Sequence, residues 1–188
     1  EMRNFYFDQI ESYKKNKNKK ITIDKMPLNL VHVGEILRFF PNAKFILALR
    51  HPYDCVLSCF MQNFMLNHAM ANFLNLDDTL KLYDLTMSLW KKYTNVFKID
   101  HHLIRYEDVV SNFKKTIGDL LKFLNVKWSD NVIEFYKTAE KRGIINTPSY
   151  NQVSQPIYSN SMYRWKNYEK EFAKSNISLE NWVKEFNY

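Results

Sequence analysis

The sequence predicts an α/β fold in which a parallel sheet is flanked by helices, and three observations support this prediction. The run KFILAL (44–49) is apolar without alternation, which is typical of a strand covered on both faces. Apolar residues recur at helical spacing before and after this run. The resulting order of strand, helix, strand, helix, helix, strand, helix favours layers of helices on a parallel sheet.

The first half of this order follows from short, well-separated patterns. The β-rich run ITID (21–24) predicts a first strand, and apolar residues from Leu30 onward predict a helix that the PNA sequence (41–43) ends. The second strand is 44–49. A turn at RHPYD (50–54) then leads into another helix.

The second half begins with a long helical pattern from Leu76, for which Asp77 or Asp78 is the predicted N-cap. HHLIRY (101–106) predicts a third strand, and 109–126 predicts a helix. Shorter helical pieces are predicted after Ser129 and over the last 27 residues, 162–188. The stretch 143–161 has no periodicity, and its tyrosines, prolines and amides indicate an ordered active-site segment.

Composition limits the class of protein. The chain has 188 residues, 46% of them hydrophobic, and a net charge of 27 − 20 = +7, which favours anionic partners, although solubility alone explains such a charge equally well. The lysine-rich run 14–20 is interpreted as a solvated linker. No apolar run is long enough to span a membrane, and no signal peptide opens the chain. The two cysteines have no spacing that suits a disulfide and favour a reducing compartment, so a cytoplasmic location is expected.

Cysteine and histidine usage predicts no metal site. Cys55 and Cys59 lie four residues apart in a predicted helix, where a disulfide is disfavoured, and they are interpreted as packed thiols. The five histidines show no zinc-ligand spacing. We therefore expect no metal cofactor.

Each of the three predicted strands ends at or is followed by a charged or hydroxyl-bearing side chain, and these are Lys25, Arg50 and Tyr106. Ligands of open parallel sheets bind beyond the carboxyl ends of the strands. Arg50 offers a planar fork of donors suited to a phosphate, and Ser58 follows eight residues later on the next helix. The two side chains together predict a phosphate clamp along the side of that helix.

A purely structural interpretation competes with this clamp. Arg50 would then pair with Asp54 or Glu107, and Ser58 would be an ordinary residue on the helix face. Lys25 would be a surface lysine and Tyr106 a core aromatic with a satisfied hydroxyl.

Three stretches resemble the sulfotransferases: DKMPLNLVHVGEILRFFPNAKFILALRHPYDCVLSCFMQNF (24–64), IRYEDVV (104–110) and QVSQPIYSNSMYRWKNYE (152–169). The likeness covers roughly residues 20–170 and is greatest to the bacterial TPR-associated and tyrosylprotein branch. It implies a three-layer fold like that of P-loop NTPases. It also implies transfer of a sulfuryl group from 3′-phosphoadenosine 5′-phosphosulfate (PAPS) to a hydroxyl or amine acceptor, without a metal ion.

The resemblance assigns roles residue by residue. Lys25 in DKMP matches the family lysine near the transferring sulfuryl group, and Arg50 and Ser58 match the pair that grips the 3′-phosphate. Tyr106 in YEDVV matches the tyrosine beside the adenine. Ser149 and Arg164 match a serine and a basic residue that the tyrosylprotein branch uses, with arginine here in place of lysine.

The general base is not assigned by the motifs. One branch has a histidine two residues after its lysine, where this chain has Pro27. His32 is the nearest histidine, seven residues beyond Lys25, but a packed or surface role on a helix is the stronger interpretation. The acceptor also stays open between protein tyrosine, carbohydrate and a small alcohol.

The family's glycine-rich loop for the 5′-phosphosulfate has no counterpart before Ile21. We therefore expect residues 1–20 to form a helical remnant and a basic linker. Residues 21–188 are expected to form a sulfotransferase domain that lacks its first βα unit. Weak nucleotide binding, little activity and self-association are expected to follow. The alternatives are a nucleotide-kinase remnant, which the absent Walker motif disfavours, and a basic module that binds nucleic acid or an acidic polymer.

Overall fold

Helices form most of the chain, and they begin and end close to where the apolar periodicity predicts. The computed structural model describes residues 1–13, 21–136, 157 and 159–188. Its α-helices and strands are α1 (Met2–Tyr13), α2 (Val33–Phe39), β1 (Phe45–Leu49), α3 (Pro52–Phe60), α4 (Leu76–Val96), β2 (His101–Arg105), α5 (Tyr106–Ser111), α6 (Phe113–Phe123), α7 (Glu169–Phe172) and α8 (Glu180–Glu185). Short 3-10 helices lie at Pro27–His32, Met70–Leu74, Asp130–Val132 and Arg164–Tyr168.

The sheet of the described residues has two strands, β1 and β2, which lie side by side and parallel. This confirms the predicted α/β class. The predicted strand at 21–24 is wrong, because residues 21–26 have no regular structure. Ile21 and Ile23 are 52% and 73% exposed, so the β-rich run has no apolar surface that would hold it in a sheet.

The burial of β1 also differs from the prediction of a strand covered on both faces. Leu47 and Leu49 are buried, but Ile46 on the opposite face is 38% exposed. The apolar run therefore packs through alternate residues, as half-buried strands do.

The start of α4 corrects the predicted N-cap. The side-chain oxygen of Asn75 accepts hydrogen bonds from the backbone N–H groups of Asp77 (2.8 Å) and Asp78 (3.2 Å). Asn75 is therefore the cap, and the two aspartates lie in the first turn, where their charge favours the positive end of the helix dipole.

The predicted helix at 109–126 is two helices. α5 ends at Ser111 and α6 begins at Phe113, because Asn112 leaves the helical region with φ −146° and ψ 60°. Thr116 then donates its hydroxyl proton to the Asn112 carbonyl oxygen at 2.9 Å, which helps to stabilise the first turn of α6.

The chain divides into two compact units. The first contains Glu1–Phe45 and Thr86–Asp100, and the second contains Ile46–Leu85 and His101–Tyr188. In the first unit, Tyr93 donates a hydrogen bond to the Val31 carbonyl oxygen at 3.1 Å and lies against Gly34. A Cβ atom at Gly34 would stand 3.1 Å from the Tyr93 ring, so a larger residue there would push the ring away.

The core of the second unit joins β1 and α3 to the C-terminal helices. Its buried apolar side chains come from β1, α3, α4 and the residues from 172 onward: Leu47, Leu49, Tyr53, Val56, Leu57, Leu80, Tyr83, Phe172, Leu179, Trp182 and Phe186. Trp182 also donates its indole N–H to Asp84 of α4 at 2.7 Å. The C-terminal segment is thus part of the core that supports the exit of β1.

Among the described residues, none of the helices combines the length and apolarity needed to cross a bilayer.

Candidate functional site

Arg50 lies at the exit of β1, where the sequence predicts it. Its guanidinium carbon lies 5.6 Å from the centre of the Tyr106 ring, and its Nη2 donates a hydrogen bond to the Ser161 carbonyl oxygen. The Nε atom is buried and has no partner among the described residues. A buried donor without a partner is costly, so this side chain is suited to accept an anionic ligand.

Tyr106 and Ser58 both belong to the second unit. Tyr106 begins α5 directly after β2, so the ends of two adjacent parallel strands bring it onto Arg50. Ser58 lies on α3 and is exposed. The structure therefore brings Arg50 and Tyr106 together and leaves the Ser58 hydroxyl accessible on the helix that follows.

The carboxylates that would compete for Arg50 bind backbone amides instead. Asp54 accepts hydrogen bonds from the N–H groups of Tyr163 (2.5 Å) and Trp165 (2.8 Å). Glu107 accepts one from the His51 N–H at 3.0 Å. Within the ranges that the structure describes, no ion pair joins Arg50 to either carboxylate, so the pairing that the structural interpretation expects is absent.

His51 lies beneath this site in a cluster of aromatic rings. It is buried, it stacks on Trp165 at 5.0 Å with an interplanar angle of 16°, and Tyr53, Tyr163 and Tyr188 surround it. Burial lowers the pKa of the His51 imidazole, and this effect outweighs the opposing charges of Asp54, Glu107 and Glu180. Lys166 lowers the pKa further.

This lowered pKa predicts a loss of stability in acid. The unfolded chain takes up the His51 proton near the ordinary value of 6.5, while the folded chain resists it. The free energy of unfolding should therefore fall as the pH drops below about 6.5. In His51→Phe this part of the fall should disappear, because the ring stack remains and the titrating group is gone. Urea denaturation between pH 5 and pH 8 measures it.

The matched control is His68→Phe, which changes an exposed histidine. It should follow the wild-type profile. If the free energy of unfolding falls by the same amount in acid in His51→Phe as in the wild type, the role assigned to His51 is contradicted.

Arg164 opens the 3-10 helix Arg164–Tyr168, and its side chain is exposed. The residue before it, Tyr163, has a left-handed backbone with φ 55°, and the residue after it is Trp165, whose amide binds Asp54. Ser149, with most of the predicted active-site segment 143–161, lies outside the described residues. Its predicted role stays a prediction.

Lys25 belongs to the first unit and lies in the irregular segment 21–26, where it is exposed. The preceding Asp24 accepts a hydrogen bond from the Tyr6 hydroxyl at 2.9 Å, and burial together with Asp24 raises the pKa of Tyr6 to about 12. His32 lies in the same unit, with its Nδ1 atom 2.7 Å from Oε2 of Glu35. Both His32 and Glu35 are exposed.

A small apolar pocket follows α3. It has a volume of about 130 Å³ and is lined by residues between the end of α3 and the start of α4: Gln62, Asn63, Phe64, Leu66, Met70, Phe73 and Leu74. The chain between Asp54 and Asp77 has no lysine, arginine, aspartate or glutamate. The pocket is therefore suited to an uncharged, apolar group.

Sequence reasoning missed the roles of Asp54, His51 and Trp165. Asp54 stands in the first turn of α3, where aspartate is common for reasons of the helix dipole, so its position alone gives no signal. The run RHPYD does place several polar side chains directly after an apolar strand. This signal could have indicated that the turn contacts another segment of the chain. Within the described part of the chain, no group of three or more potential metal ligands occurs.

Comparison with known proteins shows the family to which the chain is similar. The sulfotransferase family model matches residues 1–130, a range that contains Lys25, Arg50, Ser58 and Tyr106. An uncharacterized protein of Aquifex aeolicus is 33% identical over 152 residues, covering 79% of this chain and 19% of that protein. Protein-tyrosine sulfotransferase 1 of Danio rerio is 27% identical over 153 residues, covering 76% of this chain and 41% of that protein.

The fold has a solved counterpart. The sulfotransferase domain from the curacin biosynthetic pathway superposes with a TM-score of 0.71 at 18% identity, covering 99% of this chain and 68% of that one. This likeness confirms the fold that the resemblance implied. The chain spans less than half the length of the curated relatives it matches. On the family match over residues 1–130, the chain belongs to the sulfotransferase family.

Proposed function

We propose that this chain carries the 3′-phosphate and adenine part of a PAPS site and serves transfer of a sulfuryl group to a hydroxyl or amine acceptor. The observation that carries the proposal is the Arg50 guanidinium, which lies over the Tyr106 ring with its buried Nε unpartnered among the described residues. Family membership supports a transferase, and the nucleotide is our inference from these residues.

The residues suit the proposed ligand in charge and in shape. Arg50 would bind the 3′-phosphate through charge-assisted hydrogen bonds, with Ser58 donating its hydroxyl proton from α3. Tyr106 would lie beside the adenine, and Arg164 would add a second cation. Ser149 is proposed as a further contact to the nucleotide.

Lys25 is proposed as the catalytic residue. Sulfuryl transfer resembles phosphoryl transfer, in which charge spreads over the equatorial oxygens and on the leaving oxygen. An ammonium group stabilises that charge when it is held close to the reacting atoms. In this proposal the ε-amino group of Lys25 has that role, and no metal ion is invoked.

We propose the small pocket between α3 and α4 as the place where the acceptor binds. Its lining is mostly apolar, with the two amides of Gln62 and Asn63 as hydrogen-bonding groups. An acidic peptide would find no cation between residues 55 and 76. We therefore favour an apolar molecule that carries a hydroxyl or amine as the acceptor, and protein tyrosine and carbohydrate as the less favoured classes.

The comparisons do not support the nucleic-acid alternative. The +7 charge remains compatible with a nucleotide partner. Self-association remains a prediction, for which exposed Met65 and Leu66 provide apolar surface.

Calorimetric titration with adenosine 3′,5′-bisphosphate tests the proposed nucleotide site. We expect saturable binding, and binding of adenosine 5′-monophosphate that is weaker by about tenfold or more. The reason is that hydrogen bonds to a charged group contribute about 1.5–3 kcal/mol each. ATP, which lacks the 3′-phosphate, should not compete.

Two results would contradict the proposal. Equal affinities for adenosine 5′-monophosphate and adenosine 3′,5′-bisphosphate would contradict a clamp for the 3′-phosphate. Binding of RNA that collapses with salt, in a protein that ignores the bisphosphate, would favour the basic-module alternative.

A further inference from the structure

Asp54 is fully buried, and both of its carboxylate oxygens are used by one segment of the chain. Its exposed fraction is 0%, its Oδ2 accepts the Tyr163 N–H at 2.5 Å, and its Oδ1 accepts the Trp165 N–H at 2.8 Å. A buried charge is costly unless hydrogen bonds compensate for it. In place of water, the Asp54 carboxylate binds two backbone N–H groups, and these belong to the residues on either side of Arg164.

The same segment is held at several neighbouring points. We call residues 159–172 the strap. Three residues that follow β1 contact the strap or the chain just beyond it. Arg50 bonds the Ser161 carbonyl, and His51 stacks on the Trp165 ring. Tyr53 packs its ring against Trp165, and its hydroxyl accepts the Leu179 N–H. The strap therefore lies directly against the proposed anion-binding residue.

The backbone of the strap has an unusual conformation at the point that Asp54 holds. Tyr163 has φ 55° and ψ 26°, in the left-handed region that residues other than glycine rarely adopt. Such a conformation persists only where the surroundings over-determine it. The two hydrogen bonds to Asp54, on either side of Arg164, supply that constraint.

We propose that Asp54 is a positioning residue whose carboxylate holds the strap so that Arg164 stands beside Arg50 as the second cation of the 3′-phosphate site. This inference rests on the proposed function. A carboxylate is needed because both backbone groups are donors, and the amide of an asparagine would offer only one acceptor oxygen and would direct its NH₂ group at the other N–H.

The test is a double-mutant cycle on the affinity for adenosine 3′,5′-bisphosphate, measured by calorimetry. Asp54→Asn and Arg164→Ala should each weaken binding about tenfold, and the double variant should be no weaker than either single one, since both remove the same contact. Losses that multiply in the double variant, or wild-type affinity in Asp54→Asn, would overturn the inference.

Asp84→Asn is the matched control. Asp84 also accepts a hydrogen bond from the C-terminal segment, but its donor is the Trp182 indole, which lies outside the strap. Its substitution should leave the affinity within about twofold of the wild type. A loss as large as that of Asp54→Asn would show a general packing effect and would overturn the positioning role.

A second pair of variants keeps the inference testable if Asp54→Asn fails to fold. Tyr163 is 40% exposed, so its substitution is compatible with folding. Tyr163→Gly and Tyr163→Val both remove the ring, but only glycine accepts the positive φ without strain. The glycine variant should retain affinity within about threefold, and the valine variant should lose about tenfold.

The failure of this inference differs from a failure of the proposed function. A wild-type protein that does not bind the bisphosphate contradicts the proposed site itself. A wild-type protein that binds it and loses binding in Arg50→Ala, with equal affinities in Tyr163→Gly and Tyr163→Val, contradicts only the role of Asp54.

Discussion

Arg50→Ala is expected to weaken the binding of adenosine 3′,5′-bisphosphate about a hundredfold. The guanidinium supplies the buried Nε that lacks a partner among the described residues. Hydrogen bonds to a charged group contribute about 1.5–3 kcal/mol each, and about 1.4 kcal/mol corresponds to a factor of ten in affinity. Losing two such bonds, each at the lower end of that range, therefore predicts a change of about two orders of magnitude. Calorimetric titration measures it directly.

Two further variants distinguish the loss of the guanidinium group from the loss of one positive charge. Arg50→Lys keeps the charge and loses the fork and the face-on contact with Tyr106, so its affinity should lie between those of wild type and Arg50→Ala. Lys122→Ala removes one positive charge from an exposed position on α6, where the side chain is 83% exposed. It should bind like the wild type. An equal loss in Lys122→Ala would attribute the effect to net charge rather than to the clamp.

Trp165→Ala is expected to reduce the free energy of unfolding by about 3 kcal/mol. This is the lower end of the range for large aromatic core residues, because Trp165 is only partly buried. The centre of the indole lies 5.0 Å from the centre of the His51 ring and 4.9 Å from the centre of the Tyr53 ring. Phe172 contacts its edge at 6.5 Å. Truncation removes all three ring contacts and leaves a cavity beneath the strap. Urea denaturation followed by circular dichroism measures the change.

The conservative variant separates packing from polarity. The Trp165 indole nitrogen is buried without a partner in the described chain, so Trp165→Phe removes an unsatisfied donor and keeps an aromatic ring. It should lose about 1 kcal/mol or less. Trp128→Ala, at a half-exposed indole with one ring contact to Phe113, should also lose about 1 kcal/mol. A change below that value in Trp165→Ala would show that the cluster does not support the fold.

Local patterns in the sequence predict most of the helices. The periodicity from Leu76 onward predicts α4, and the apolar run at 44–49 predicts β1, because each pattern extends over several turns or residues of one element. Shorter signals fail. The four residues at 21–24 have the composition of a strand, but a strand needs a neighbour, and these isoleucines are exposed instead.

The cap of α4 shows the same limit at a smaller scale. Asp77 and Asp78 are good capping residues by type, and so is Asn75. Which of them is the cap depends on where the chain leaves the preceding 3-10 helix, Met70–Leu74. That exit is fixed in part by the Thr79 hydroxyl, which bonds the Asn72 and Asn75 carbonyl oxygens.

Motifs and patterns within short stretches were enough to predict the family, the α/β class and the position of Arg50 at the end of a strand. What surrounds that arginine depends instead on contacts between distant parts of the chain. The hydrogen bond from Tyr163 to Asp54 joins residues 109 positions apart, and the stack of Trp165 on His51 spans a similar separation. Such contacts depend on the path by which the C-terminal segment returns to β1, and they are set by the packing of the whole second unit rather than by any local preference.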